Sequence, residues 1–355
     1  MNATSRSATL SDPPPRSEPA PRVDVRDGPT GPQAAIPGRS CPLHYRYRPE
    51  VFAGEPAAQL QGLDVLYVVG GLYGNDLALE RVLESFDREP GRKRLVFNGD
   101  FHWFDADPRV FARVQRDVLA HVAIRGNVET ELSDDSASDD AGCGCAYPDW
   151  VGDAVVERSN RILKRLRSAA TPAQRAELAA LPMFLRADVG SLRVGIVHGD
   201  AQSLAGWGFA QEHLREAAHR DAVRGWFDRA RVDVFACTHT CLPVFQGLRR
   251  PGDPWPRWIL NNGATGMPNF RGDAAGLLTR IAVTPHRGDS RRFGTCIGRE
   301  GIFADAIAVP VDDGAWRSRF LAQWPEGTDA HASYFERIVQ GPDYRPADAV
   351  RLEPR

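Results

Sequence analysis

The stretch LPMFLRADVGSLRVGIVHGD, residues 181–200, has two apolar segments around Gly190 and ends in a histidine, a glycine and an aspartate. The apolar segments and the glycine between them predict two strands joined by a tight turn, at 183–187 and 192–197. His198 directly follows the second strand, and polar side chains in such positions often carry the chemistry of α/β proteins.

Three further motifs have the same form, with polar residues directly after a short apolar run. They are GD at 99–100, RGNVE at 125–129 and THTCLP at 238–243, which follow the apolar runs 95–97, 121–124 and 232–236. Because ligands just past strand ends lie together at one edge of a sheet, we expect the four motifs to share one sheet edge. Asp, Asn and His side chains are ligands for transition metals, so this edge is a predicted metal site.

The order of the motifs resembles that of the calcineurin-like metallophosphoesterases, and in particular their small bacterial branch that opens with a strand and SDIHGN. The resemblance covers about residues 63–311. It implies an α/β fold, namely a four-layer α-β-β-α sandwich of two mixed β-sheets flanked by helices. It also implies one complete metal site, formed by Asp100, Asn127, His198 and His239.

The first of the family's two metal sites is not kept in this chain. Gly71 stands where the family has the aspartate of its opening motif, and Tyr73 stands where it has the first histidine. Cys241 replaces the second histidine of the family's GHTH motif, so only the shared Asp100 remains. We therefore expect at least one divalent or trivalent metal per chain, and the donor set suits Mn, Fe, Zn or Ni.

Catalytic roles follow from the resemblance for Asn127, His198 and Arg125. A guanidinium matches a phosphate group bidentately, so Arg125 is a candidate for holding the substrate phosphate. The alternative for Arg125 is a surface salt bridge. Val128 stands where some family members have the histidine that protonates the leaving group, so water or another residue would have to take that role.

Three further residues are candidates for substrate binding. Tyr73 either fills the space of the lost metal or presents its hydroxyl to a substrate, and Asn75 lies on the same loop. His102, two residues after Asp100, either replaces the missing acid or is a histidine on the rim of the site without a catalytic role.

The cysteines offer an alternative metal site. Cys143 and Cys145 form a Cys-x-Cys pair, and Cys241 replaces a metal-binding histidine. Three thiolates would turn the lost site into a soft one suited to Zn or Fe. The alternative is that Cys241 fills space and that the pair is only a detail of its loop.

Composition predicts one large domain with additions at its ends. The predicted segments are a disordered N-terminal segment at 1–45, a metallophosphoesterase-like domain at 60–315 with a helical insertion at about 131–182, and a C-terminal helical tail at 316–355. Further predicted elements are a first core strand at 63–69, helices at 77–86 and 107–119, and later strands at 243–248, 258–260, 277–283 and 303–311.

The charge and cysteine content exclude several classes. A formal net charge of −2 over 355 residues argues against a dedicated nucleic-acid surface. No apolar stretch is long enough to span a membrane, and the N-terminus lacks the apolar core of a signal peptide. Six cysteines are too few for a disulfide scaffold in a chain of this length. We expect a cytoplasmic protein without a membrane partner.

Three functions are consistent with the sequence. The first is a metal-dependent hydrolase that acts on a small phosphomonoester, phosphodiester or nucleotide through the single retained metal. The second is a non-catalytic descendant that binds a phosphorylated ligand or a protein partner. The third is a metalloenzyme with a second site rebuilt from the cysteine thiolates.

Overall fold

The computed structural model describes residues 38–39, 42–54, 59–134, 142–250, 252–297 and 301–352. Most of the predicted disordered segment at 1–45 lies outside the described residues. So does the acidic centre of the loop at 135–141.

The described strands form two mixed sheets. They are β1 (Leu60–Leu63), β2 (Val65–Val69), β3 (Lys93–Asn98), β4 (Val122–Ile124), β5 (Phe184–Val189), β6 (Leu192–Val197), β7 (Val234–Cys237), β8 (Pro243–Leu248), β9 (Arg257–Asn262), β10 (Gly276–Ala282), β11 (Arg291–Ile297), β12 (Ile302–Val309) and β13 (Val350–Leu352). The six-stranded sheet has the order β11-β12-β10-β2-β3-β4, and the seven-stranded sheet has the order β1-β5-β6-β7-β9-β8-β13.

The described helices are α1 (Asp76–Asp87), α2 (Pro108–Leu119), α3 (Asn127–Ser133), α4 (Asp153–Arg167), α5 (Pro172–Ala179), α6 (Ala217–Ala230), α7 (Asp313–Gln323), α8 (Asp329–Gln340) and α9 (Pro346–Ala349). Four of them begin after a side chain that accepts a backbone amide, namely that of Asn75, Asp107, Thr171 or Asp312. Asp107 caps α2 by accepting the amide of Arg109 at 2.7 Å, and Pro108 supplies the first turn. Every helix in the described part of the chain is too short or too polar to span a bilayer.

Three apolar clusters define four layers. The inner faces of the two sheets pack on each other, with Val68 and Val96 from one sheet in the same cluster as Ile196 and Ala236 from the other. Helices α1 and α2 cover the outer face of the six-stranded sheet, and α6 covers the seven-stranded sheet. The predicted α/β fold with two mixed sheets flanked by helices is therefore confirmed.

The structure corrects two predictions about the strands. The predicted strand at 63–69 corresponds to β2 at 65–69, but Leu63 is the last residue of β1 in the other sheet. The two strands are separated by Asp64, whose carboxylate accepts the amide of Arg92 at 2.8 Å. The four motifs do not lie at the edge of one sheet either. β3 and β4 belong to the six-stranded sheet and β6 and β7 to the seven-stranded sheet, so the motifs meet across the sandwich. The sequence analysis also missed β11.

The predicted insertion and tail correspond to helices that pack on each other. Arg161 of α4 makes a bidentate contact with Asp329 of α8, with N–O distances of 2.7 to 3.0 Å. Arg158 donates to the Ser333 hydroxyl at 2.7 Å. The boundaries at 60–315 and 316–355 stay predictions.

A buried ion pair outside the metal site allows a test of the fold. Arg280 is 2% exposed and donates from Nε and Nη2 to the two carboxylate oxygens of Glu89, at 2.6 and 3.1 Å. Arg280→Met should lower the free energy of unfolding by about 3–5 kcal/mol, because it leaves Glu89 buried without its partner. Urea denaturation measures the loss.

The control is Arg271→Met, which removes the exposed partner of Asp343. Its unfolding midpoint should stay close to the wild-type value, since exposed pairs contribute little. Equal losses for the two variants would contradict this account of Arg280.

Candidate metal centre

The four predicted ligands lie together where strands of the two sheets end. Asp100 and Asn127 follow β3 and β4, and His198 and His239 follow β6 and β7. Among the described residues, one group of three or more His, Cys, Asp or Glu side chains has all its ligand atoms within 4.8 Å of one another, and it is Asp100, His198 and His239. Asn127 completes the cluster, and all four residues are at most 6% exposed.

The imidazole of His198 lies at the centre of the cluster. Its Nε2 is 3.3 Å from Oδ2 of Asp100, 3.2 Å from Oδ1 of Asn127 and 3.2 Å from Nδ1 of His239. The structure therefore directs four nitrogen and oxygen atoms from four separate loops to one point.

Neighbouring groups fix which atom of each side chain points to the centre. His198 Nδ1 donates to the backbone carbonyl of Asn98 at 2.8 Å, and His239 Nε2 donates to the carbonyl of Cys145 at 3.1 Å. The Asn127 amide nitrogen donates to the carbonyl of Cys143 at 2.9 Å. Each bond uses the donor of the side chain, so the atom that faces the centre is an acceptor.

This arrangement fits a metal cation. With both imidazoles neutral, the facing atoms of His198, His239, Asn127 and Asp100 are all acceptors, and none of them can donate to another. A buried set of acceptors without a donor is unfavourable unless a cation lies among them. Two imidazoles, one carboxylate and one amide oxygen suit a transition metal.

The pKa values of the cluster describe its protonation in the absence of a cation. Burial, followed by the charge of His198, lowers the pKa of His239 to about 3, so this ring is neutral. Burial also opposes a charge on His198, but the adjacent carboxylate of Asp100 outweighs it and raises the pKa of His198. The carboxylate of Asp100 therefore favours a positive charge on the ring of His198.

A close approach of two loops brings Asp100 to Asn127. Gly99 has a φ of 75°, and a Cβ there would lie 2.5 Å from the amide nitrogen of Gly126 and 2.6 Å from Nδ1 of His198. Only glycine fits at this position. The glycines at 99 and 126 thus allow the two loops to pack closely, and the residue after each glycine supplies a predicted ligand.

Tyr73 lies against the two other positions at which the sequence predicts lost ligands. A Cβ on Gly71 would lie 3.0 Å from the Tyr73 ring. The Tyr73 hydroxyl lies 2.8 Å from Sγ of Cys241. Tyr73 therefore contacts both residues, and it is only 4% exposed.

Cys143 and Cys145 lie beside the side chain of Asn127. The sulfurs of Cys143 and Cys145 are 2.6 Å apart, and Sγ of Cys145 is 3.3 Å from the amide nitrogen of Asn127. Among the described residues, no sulfur joins a group of three ligand atoms within 4.8 Å of one another. Cys241 contacts Tyr73 instead of this pair, and a shared thiolate site stays a hypothesis.

Two predicted substrate-binding residues are buried in structural roles. His102 is fully buried, with its ring stacked on Phe111 at 3.6 Å and Nδ1 paired with Asp105 at 2.5 Å, so its predicted place on the rim is wrong. Asn75 caps α1 and donates to the carbonyl of Gly266 at 2.9 Å. Both of its polar side-chain atoms are therefore already hydrogen bonded.

Arg125 contacts α5 of the predicted helical insertion. Its Nη1 donates to the carbonyl of Ala179 at 3.3 Å, and its Nε is buried without a hydrogen-bond partner among the described residues. An incompletely paired guanidinium is compatible with an anionic ligand. The predicted surface salt bridge for Arg125 is absent from the ion pairs of the described residues.

The sequence analysis missed the groups that orient the ligands. Asn98 holds His198, and the carbonyl of Cys145 accepts both His239 Nε2 and Trp207 Nε1, the latter at 2.9 Å. Both orienting groups are backbone carbonyls, those of Asn98 and Cys145, and a backbone carbonyl carries no signal in a sequence.

Comparison with solved structures identifies the fold. The chain is similar to a metallophosphoesterase from Sphaerobacter thermophilus, with a TM-score of 0.51, 15% identity, and coverage of 78% of this chain and 100% of that one. It is also similar to a hypothetical protein from Pyrococcus horikoshii OT3, with a TM-score of 0.51, 16% identity, and coverage of 79% and 99%. No family model and no curated protein matches the chain. At these identities the likeness shows a common fold.

Substitution of single ligands tests the metal centre. His198→Ala and Asp100→Ala should each abolish stoichiometric metal binding, because each removes one of four converging acceptors. Cys143→Ala should keep it, since its sulfur is outside the ligand group. Elemental analysis of protein purified without added metal measures both identity and atoms per chain. Full metal content in both ligand variants would refute the assignment.

Restoration of the lost ligands tests the first site. Gly71→Asp, Tyr73→His and Cys241→His together should allow a second metal, because they supply a carboxylate and two imidazoles beside Asp100. Gly71→Asp alone should not, because its side chain meets the Tyr73 ring. Metal stoichiometry of the single and triple variants measures this. One metal in the triple variant would mean that the opening motif is misplaced.

Proposed function

We propose that this chain is a metal-dependent phosphoester hydrolase that works with one metal, held by Asp100, Asn127, His198 and His239. The observation that carries the proposal is the convergence of four oriented acceptors at the strand ends of a metallophosphoesterase fold. The substrate would be a small cytoplasmic phosphomonoester, phosphodiester or nucleotide. The SDIHGN branch of the calcineurin-like phosphoesterases is the proposed family.

A metal at this site would act as a Lewis acid towards a phosphoryl oxygen and would lower the pKa of water. The protein would supply orientation: Asn98 and the carbonyl of Cys145 fix the two histidine rings. Arg125, whose Nε has no described partner, is the proposed phosphate-binding group. Val128 stands where some family members have a histidine that protonates the leaving group. The leaving group would therefore depart without protonation by a side chain at that position.

A non-catalytic role is the second candidate, and a specific observation favours it. Tyr73 contacts Gly71 and Cys241 at the proposed first site, and the four ligands are nearly inaccessible. A protein of this kind would keep the metal for structure and bind a phosphorylated ligand or a protein partner. The thiolate-rebuilt metalloenzyme is the third candidate, and the separation of Cys241 from the Cys143–Cys145 pair counts against it.

The hydrolase predicts a strong dependence on the leaving group. Aryl phosphates should be cleaved faster than alkyl phosphates, because an aryloxide leaves with little need for an acid. Initial rates with p-nitrophenyl phosphate and a matched alkyl phosphate, with Mn, Fe, Zn, Ni or Co supplied, measure the ratio. Asp100→Ala is the control for metal-dependent turnover.

Two results would contradict parts of this proposal. Comparable rates for alkyl and aryl esters would contradict unassisted departure of the leaving group, because another group would have to protonate the leaving oxygen. No turnover of either ester with any of these metals, in protein that binds metal stoichiometrically, would favour the non-catalytic role.

A further inference from the structure

The carboxylate of Glu129 is fully buried and accepts hydrogen bonds from four backbone amides on two loops. Oε2 accepts the amides of Asp100 at 2.7 Å and Gly126 at 2.8 Å. Oε1 accepts the amides of Phe101 at 3.0 Å and His102 at 3.3 Å. These donors offset part of the cost of burying a charged group.

Three of the four amides belong to the turn that carries Asp100. Gly99 and Asp100 both have positive φ values, 75° and 51°. Consecutive amides in such a turn can form a concave anion-binding site. Here the carboxylate of Glu129 occupies it, and its hydrogen bonds offset the cost of a left-handed non-glycine residue at Asp100.

The fourth amide, that of Gly126, belongs to the loop that carries Asn127. Glu129 therefore connects the loop after β3 to the loop after β4, and it lies in the first turn of α3, which begins at Asn127. A second contact runs in the opposite direction, from the amide of Val128 to Oδ1 of Asp100 at 3.1 Å. The distance between the two oxygen ligands is thus set by hydrogen bonds within the protein.

We propose that Glu129 is the positioning residue of the metal centre, and that it fixes Asp100 relative to Asn127 before a metal binds. This inference rests on the proposed function, because it assigns Glu129 to the same metal. It also implies that the amides of the GD turn are unavailable to a substrate phosphate. Glu129 would act only through the ligands, since its two oxygens face the four amides.

Substitution by glutamine tests the geometry of the carboxylate. Glutamine has almost the same shape but only one acceptor oxygen, and its NH2 group would face one pair of backbone N–H donors. In one orientation the amides of Phe101 and His102 lose their acceptor, and in the other the amides of Asp100 and Gly126 lose theirs. The turn after β3 is therefore weakened in either orientation, and the link to the loop after β4 is lost in the second. Aspartate keeps the charge but is shorter by one methylene, and it should also fail to hold both loops.

The matched control is Asp200→Asn. Asp200 is another buried carboxylate that accepts backbone amides, those of Gln202, Ser203 and Gly208 at 2.8 to 3.0 Å. All three lie in its own loop, so this variant should lose stability without changing the spacing of the two oxygen ligands. Thermal unfolding of the metal-free proteins compares the two losses.

Titration with Co2+ measures the effect on the metal. Glu129→Gln should weaken binding by roughly 10–100-fold, the usual range for groups that orient metal ligands. Asp200→Asn should stay within about threefold of the wild type at a comparable loss of stability. The visible spectrum of the cobalt protein should change for Glu129→Gln only, because the ligand geometry changes. Equal weakening in both variants, or unchanged binding in Glu129→Gln, would overturn the proposal.

Hydrogen–deuterium exchange of the metal-free proteins provides a readout that needs no metal. Glu129→Gln should increase exchange at 100–102 in either orientation of its amide, and at 126 as well when the NH2 group faces Gly126. Unchanged exchange at 100–102 would overturn the proposal. If the wild type binds no Co2+, the proposed function fails, and exchange alone decides whether Glu129 joins the loops. If Glu129→Gln does not fold, Glu129→Asp takes its place in both measurements.

Discussion

Asn98 connects the two sheets at the metal centre. It is the last residue of β3, and its side-chain amide donates to the carbonyl of Val197, the last residue of β6, at 2.8 Å. Its own carbonyl accepts Nδ1 of His198. One residue of the six-stranded sheet therefore fixes the end of a strand in the seven-stranded sheet and the tautomer of its histidine. The cluster depends on this contact, because two of its ligands come from each sheet.

Tyr73 and Cys241, two positions at which ligands of the first site are predicted to be lost, pack against each other. Tyr73 and Cys241 both have positive φ values, 54° and 60°, which are uncommon for residues other than glycine. Their side chains meet at 2.8 Å, and Arg337 of α8 donates to the carbonyl of Cys241 at 2.8 Å. Helix α8 thus packs against the loop that carries Cys241.

Much of the fold could be predicted because it depends on local patterns. The helices at 77–86 and 107–119 were visible from their apolar spacing and caps, and the hairpin around Gly190 from its glycine. The division of 63–69 between two sheets could not be predicted, because it depends on the contact of Asp64 with Arg92. Periodicity shows that a residue is buried but not which sheet buries it.

The candidate site was predictable to a similar extent. Motif order indicated the four ligands, but their orienting groups come from distant carbonyls, such as that of Cys145 on His239. The burial of His102 was not visible either, because its position after the GD motif is compatible with a rim or a core residue. Its stacking on Phe111 is a tertiary contact.

The turn that carries Cys145 also determines how a metal would enter and leave. Its carbonyl holds both His239 and Trp207, and the four ligands have almost no exposed surface. An ion at this depth would exchange slowly with ions in solution, since release requires these hydrogen bonds to open. Sites at equilibrium select metals by the Irving–Williams order, whereas a kinetically inert site keeps the ion that was available when the chain folded. The metal in isolated protein would then record the ion supply of the producing cell.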